Sequence, residues 1–96
     1  MISFEKRMIK NSENLFNNKK YVPFCIGLVS ELMGVSLREM KVSRVRDKTL
    51  ARHLLHYALR SKTTLTLEGI GKITNKNHST VIHSVRYIND ASENDV

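Results

Sequence analysis

The 96-residue chain is poor in acid, in aromatic side chains and in covalent cross-links. Its single cysteine, Cys25, lies beside Pro23, Phe24 and Ile26 and cannot close an internal disulfide, so the chain reads as a reduced, intracellular protein with a buried thiol. No stretch approaches the ~18–20 uninterrupted apolar residues of a membrane span. The N-terminus has charges scattered through Met1 to Lys10 instead of an apolar run behind a basic head. Neither a membrane protein nor a secreted one is expected, and the cytoplasm, in association with the nucleoid, is the expected location. Strand-like alternation and internal repeats are also missing, and the only biased tract is the Asn/Lys patch from Asn14 to Lys20.

The chemistry of catalysis is absent as well. There is no glycine-rich phosphate loop, no paired-carboxylate motif and no serine or cysteine in a nucleophile signature, so no enzyme is expected. Four histidines invite a metal, but His53 and His56 stand three apart, His78 and His83 five apart, and Cys25 is remote from both pairs. That satisfies no metal-ligand spacing, and neither metal nor cofactor is expected.

What is present is positive charge. Sixteen Lys and Arg face nine Asp and Glu, a formal +7. Residues 1–88 alone hold 16 basic and 6 acidic side chains, a net +10, because Asp90, Glu93 and Asp95 gather at the end. A folded body of that charge suits a polyanion, either nucleic acid or an anionic surface.

Apolar periodicity predicts an all-helical bundle. Residues 1–20 read as a weakly amphipathic arm, a docking helix with Phe4, Met8 and Leu15 on one stripe, followed by a turn in the Asn/Lys patch. Pro23 suits the first turn of a helix ending at Gly34. Ser36 and Glu39 have the spacing of a capping box. A central helix over Thr49–Ser61 carries Leu50, Leu54, Tyr57 and Ala58, with Ala51, Leu55 and Leu59 widening the face. Thr66 offers a cap for a two-turn helix to Ile73, Asn75-Lys76-Asn77 reads as a turn, and Asn77 or its neighbour caps a last helix over about His78–Asn89. The expected division is an arm over 1–20, a globular domain over 21–90 and an acidic tail over 91–96.

A short helix, a tight polar turn and a second helix with a polar head is the layout of a helix-turn-helix, whose second helix faces base edges in the major groove. Lys76, Ser79, Thr80 and His83 fall on one exposed stripe, opposite Val81, Val85 and Ile88. Two packed helices of no special function share this layout; the charge tips the reading. Arg44, Arg46 and Lys48 precede the central helix, and Arg52 and Arg60 lie within it, where a basic run can serve DNA backbone or a narrow minor groove.

Residues Arg52 to Ile88 then become recognisable. Leu67-Glu68-Gly69-Ile70-Gly71, followed by Asn77-His78-Ser79-Thr80-Val81-Ile82-His83-Ser84-Val85-Arg86-Tyr87-Ile88, resembles the C-terminal DNA-binding domain of the bacterial replication initiator DnaA. That family reads roughly L-P-E-I-G, a turn, then R-D-H-T-T-V-L-H-A-x-R-K-I. The likeness extends more weakly to Pro23, about three quarters of the chain. It implies an all-helical, Trp-repressor-like fold and a monomeric reader of a short asymmetric box in double-stranded DNA, although Trp-repressor relatives dimerise and the apolar N-terminal stripe leaves a dimer open. By register it implies that Arg44 enters the minor groove and that Lys76, Asn77, His78, Ser79 and Thr80 face the major groove. His83, Arg60 and the backbone at Thr66 and Leu67 match phosphate-holding positions, and Arg52 matches a basic position.

Three departures bear on the site. Lys76 replaces an arginine and loses the planar fork that reads guanine. Asn77 replaces an aspartate and both donates and accepts, which suits adenine. The turn is one residue shorter. The chain also has no G-x-x-x-x-G-K-[ST], so ATP hydrolysis is not expected, and a free-standing regulator of replication initiation or transcription is. The competing expectations are a protein-interaction module that docks a partner such as a replication protein through residues 1–20, and a nonspecific nucleic-acid binder.

Overall fold

The computed structural model describes the backbone of residues 4–94 and the side chains of residues 18–92. It forms five helices, α1 (Phe4–Met33), α2 (Leu37–Val42), α3 (Arg46–Lys62), α4 (Leu67–Ile73) and α5 (His78–Asn94), with no strand among the described residues. The expected all-helical class is observed.

Helix α3 lies at the centre and packs against each of the other four. Ala51, Leu55 and Leu59 are fully buried at four-residue spacing and join Cys25 and Val29 of α1, Met40 of α2, Ile70 of α4 and Val81 of α5 in one core. Leu54 and Ala58 sit half-buried on its flank. The buried stripe is therefore rotated by one residue from the one the periodicity favoured. With partners on several sides, α3 buries the face on which all of them converge, and His56 shares that face with no exposure at all. Each fully buried leucine contributes roughly 1.5–3 kcal/mol.

Local chemistry explains the short elements. Ser36 Oγ accepts from the Glu39 amide at 3.2 Å while the Glu39 carboxylate accepts from the Ser36 amide at 3.3 Å, which is the expected capping box. Gly34 ends α1 at φ 65°, and the Val35 amide donates back to the Ser30 carbonyl at 3.2 Å. Thr66 Oγ1 accepts from the Gly69 amide at 3.0 Å to start α4, and Asn77 Oδ1 accepts from the Thr80 amide at 3.0 Å to start α5.

Three expectations about boundaries fail. The turn expected within Asn14–Lys20 is helix, and Pro23 lies inside α1 instead of starting it. Proline removes one amide donor from the ladder, but Lys19 and Pro23 are both exposed, so water can serve the freed carbonyl. Asn18 does not turn back on its own backbone; its amide carbonyl accepts from the Thr64 amide at 2.9 Å and its Nδ2 donates to Thr64 Oγ1 at 3.0 Å, tying α1 to the loop before α4. The side chains of the expected Phe4, Met8 and Leu15 stripe lie outside the described residues. Second, α3 begins at Arg46, so Arg46, Asp47 and Lys48 belong to its first turn and the basic loop shrinks to Ser43–Val45. Third, α5 continues to Asn94 through the expected tail, because no glycine or proline stops it.

The turn between α4 and α5 is the tightest point. The Gly71 carbonyl accepts from the Thr74 amide at 3.1 Å and the Lys76 amide at 2.8 Å, and Asn75 adopts φ 57°. The chain doubles back so closely that a Cβ on Gly71 would collide with the Lys76 carbonyl oxygen. Gly27, by contrast, is exposed on α1 and faces open space. Gly71→Ala should therefore destabilise the fold by about 2 kcal/mol or more in denaturant unfolding. Gly27→Ala should stabilise it by roughly 0.5–1 kcal/mol, and equal effects of the two would contradict the close approach.

Candidate nucleic-acid interface

Most of the expected site residues, drawn from four places in the chain, line three hollows, whereas Ser79 and Thr80, like Lys48 and Arg52, line none of them. Arg60 at the end of α3, Thr66 and Leu67 at the start of α4 and His78 at the head of α5 line one hollow together with Glu68. His78 also lines a second, with Asn77, Lys76, Lys72 and Glu68. Arg44 and Arg46 meet His83 in a third, between the loop before α3 and α5, where Thr49, Leu50, His53 and Tyr87 complete the wall.

The head of α5 presents Asn77, His78, Ser79 and His83 exposed and Lys76 and Thr80 half-buried. Asn77 has a structural duty, since Oδ1 takes both the Thr80 amide and, at 3.2 Å, the Thr80 hydroxyl. Its Nδ2 is left as the group that can meet a ligand. A helix N-terminus that already directs amides outward favours an anion nearby, and the first turn of α5 has no acidic side chain to compete.

Two expected residues are placed differently from the rest. Lys48 Nζ lies 2.7 Å from a Glu39 carboxylate oxygen, which holds that carboxyl below its usual range through the ion pair and the Ser36 bonds. Arg52 is half-buried, donates from Nη1 to the Met40 carbonyl at 3.3 Å, and has a buried Nε with no hydrogen-bond partner. Neither lines the three hollows described. Lys72, Tyr87 and Thr49 do line them and were not singled out from sequence. Lys72 could have been found, four residues before Lys76 at the end of α4.

Behind the hollows is a buried polar cluster. Ser84 Oγ lies 2.6 Å from His53 Nδ1, 2.8 Å from His56 Nδ1 and 3.0 Å from the Thr80 carbonyl, while His56 Nε2 lies 2.6 Å from Thr74 Oγ1. With the serine hydroxyl donating to the Thr80 carbonyl, both imidazole Nδ1–H groups donate to the serine oxygen. The Thr74 hydroxyl has two acceptors within reach, the Gly71 carbonyl at 3.3 Å and His56 Nε2 at 2.6 Å, and the second, which the Nδ1–H tautomer leaves as an acceptor, is the shorter. Burial, followed by the charge of Arg52 and then of His53 and Lys76, pushes His56 down to about 4. Burial, then Arg52 and His83, lowers His53 too, whose ring lies edge-on to His83 with centroids 5.5 Å apart and tilted against Tyr87 at 5.1 Å. Among the described residues no three His, Cys, Asp or Glu side chains gather to hold a metal, and no helix is long and apolar enough to cross a membrane.

A histidine held neutral in the fold gains a proton on unfolding whenever the pH lies between its folded and unfolded values. Stability from His56 is therefore full above about pH 6.5 and lost as pH falls towards 4, on the order of 3 kcal/mol in all. Denaturant unfolding at pH 7 and pH 4.5 should show the chain markedly weaker at the lower pH, with the difference reduced in His56→Gln. An equal pH dependence in the variant would contradict this origin.

The sequence profile of the family described as bacterial DnaA protein helix-turn-helix matches residues 25–88, from the second half of α1 into α5. The chain is similar to the chromosomal replication initiator protein DnaA of Kosmotoga olearia, 44% identical over 61 residues that make up 62% of this chain and 14% of that protein. The DnaA of Borrelia garinii subsp. bavariensis is 32% identical over 104 aligned positions, covering 99% of this chain and 19% of that protein. That of Desulfotalea psychrophila is 36% identical over 70, covering 72% and 15%. The chain thus spans less than a fifth of the length of these relatives. No solved structure matches.

Proposed function

The chain belongs to the bacterial DnaA helix-turn-helix family, and from that premise we propose that it binds double-stranded DNA in a sequence-specific way and acts in the control of replication initiation or transcription. The observation that carries this reading is the polar head of α5, with Ser79 and His83 exposed and Lys76 and Thr80 half-buried, set beside the Arg44–Arg46 hollow on a strongly basic chain.

Each group has a part. Lys76, Asn77, His78, Ser79 and Thr80 enter the major groove at the head of α5, where short polar side chains reach base edges. Arg44, exposed on the loop before α3, reaches the adjacent minor groove, with Arg46 beside it. Arg60, His83 and the amides at Thr66 and Leu67 hold phosphates, and these set register without reading sequence. Lys48 and Arg52 act less directly, the first paired to α2 and the second bonded to its Met40 carbonyl, so that they support the loop Arg44 stands on. The chain binds as a monomer, with no catalytic step. A second reading, a protein-interaction module, is favoured by Phe24, Leu28 and Leu32, which stand 57%, 43% and 73% exposed at four-residue spacing on α1.

Selection from a randomised duplex pool at ~150 mM salt, where phosphate-only binding is suppressed, tests the proposal. A short asymmetric motif should be recovered. Arg44→Ala should weaken binding to that duplex, and Ser79→Ala with Thr80→Ala should lower discrimination by about 1–3 kcal/mol per lost base contact. Restoring the family's residues with Lys76→Arg and Asn77→Asp should shift the recovered motif. Absence of any motif would reject base reading, and a partner bound equally by the Arg44→Ala chain would favour the interaction module.

A further inference from the structure

Polar side chains in a core are costly unless each is partnered, so four of them in one place call for a reason. His53, His56, Thr74 and Ser84 are all buried between α3 and the helix-turn-helix. Ser84 occupies the position at which the family pattern has alanine. Its hydroxyl oxygen lies within hydrogen-bond distance of both histidines of α3, and its hydrogen goes to the carbonyl of Thr80, one turn earlier on α5. His56 continues the chain of bonds to Thr74 in the turn. Three elements are thereby joined by directional contacts of 2.6 to 3.0 Å, where an apolar filling would leave the helices free to rotate a little against one another.

We propose that Ser84 is a positioning residue for DNA sequence discrimination: by tying His53 and His56 to the Thr80 backbone, it fixes the axial rotation of α5 and hence the direction in which Ser79, Thr80 and His83 point. This rests on the reading that the head of α5 meets base edges. Side-chain tips stand roughly 6 Å from a helix axis, so a rotation of about 10° moves them about 1 Å. That shift spans the useful range of a hydrogen bond to a base, whereas the attraction between a lysine or arginine and phosphate barely changes over it. Losing the tie should therefore reduce discrimination while sparing nonspecific affinity.

The test compares the full chain with Ser84→Ala, Ser84→Thr and Thr74→Val on the selected duplex and on a scrambled duplex of the same length. Ser84→Ala should lower the ratio of the two affinities by about tenfold, the scale of one base contact, and leave the scrambled duplex within about twofold. Ser84→Thr keeps the hydroxyl and should restore the ratio. Thr74→Val breaks the other end of the His56 chain and should lower it as well, and the double variant should lose less than the two singles combined. Without DNA, backbone amide NMR shifts of residues 78–84 should move in Ser84→Ala and return in Ser84→Thr. An unchanged ratio, a parallel fall on both duplexes, or unmoved amide shifts would overturn the proposal. Should the wild-type chain show no preferred duplex, base reading fails on its own account, and the amide shifts still decide whether Ser84 sets α5. If Ser84→Ala does not fold, Thr74→Val decides the matter by the same readouts.

Discussion

The approach of the Lys76 backbone to Gly71 is the contact on which the rest of the molecule depends. With a side chain at Gly71 the turn could not close, the Gly71 carbonyl would lose its bonds to Thr74 and Lys76, and Asn77 would no longer stand where its oxygen starts α5. The shortened turn holds Thr74 inside the core and Lys76 at its edge, and so sets how far the head of α5 projects from the body. Everything a helix-turn-helix can do for a ligand follows from that projection.

Around this turn the chain keeps its charge outside and a small polar cluster inside. Arg44, Arg46, Arg60 and His78 are exposed around the hollows, and the acidic side chains on the same elements are few: Glu68 lines two of the hollows, Asp47 follows Arg46 in the first turn of α3, and Glu39 is paired to Lys48. A surface of this kind acts at long range and is weakened by salt. The inner cluster acts at short range and is insensitive to salt. Its histidines stay neutral because burial and neighbouring positive charges both penalise the imidazolium, which keeps the hydrogen-bond chain in one arrangement near neutral pH. On the proposed function, affinity and geometry are in this way served by different residues.

Much of this was legible in the sequence, and the reasons differ by residue. Ser36 with Glu39, Thr66 and Asn77 are local signals whose partners lie three residues away, so spacing alone finds them. The helix-turn-helix follows from helical periodicity in the same way, but only half of the expected stripe is exposed: Ser79 and His83 face out, whereas Thr80 is half-buried and Lys76 is half-buried in the turn before α5. Pro23 misled because its cost depends on whether the orphaned carbonyl is wet, and Asn18 because its partner Thr64 is 46 residues distant. Charge alone made Lys48 and Arg52 look like the other basic residues; only the fold shows Glu39 and the Met40 carbonyl beside them. The His53, His56, Thr74 and Ser84 cluster joins three elements, and no pattern within one helix could announce it.

The most direct measurement is a titration of the isotopically labelled chain with the selected duplex, followed by backbone and side-chain NMR. The largest shifts should fall at residues 76–80, at His83 and around Arg44, with the exposed Phe24, Leu28 and Leu32 face of α1 unmoved. Shifts centred on that α1 face, or shifts confined to lysine and arginine side chains with residues 77–80 unaffected, would contradict the proposed function.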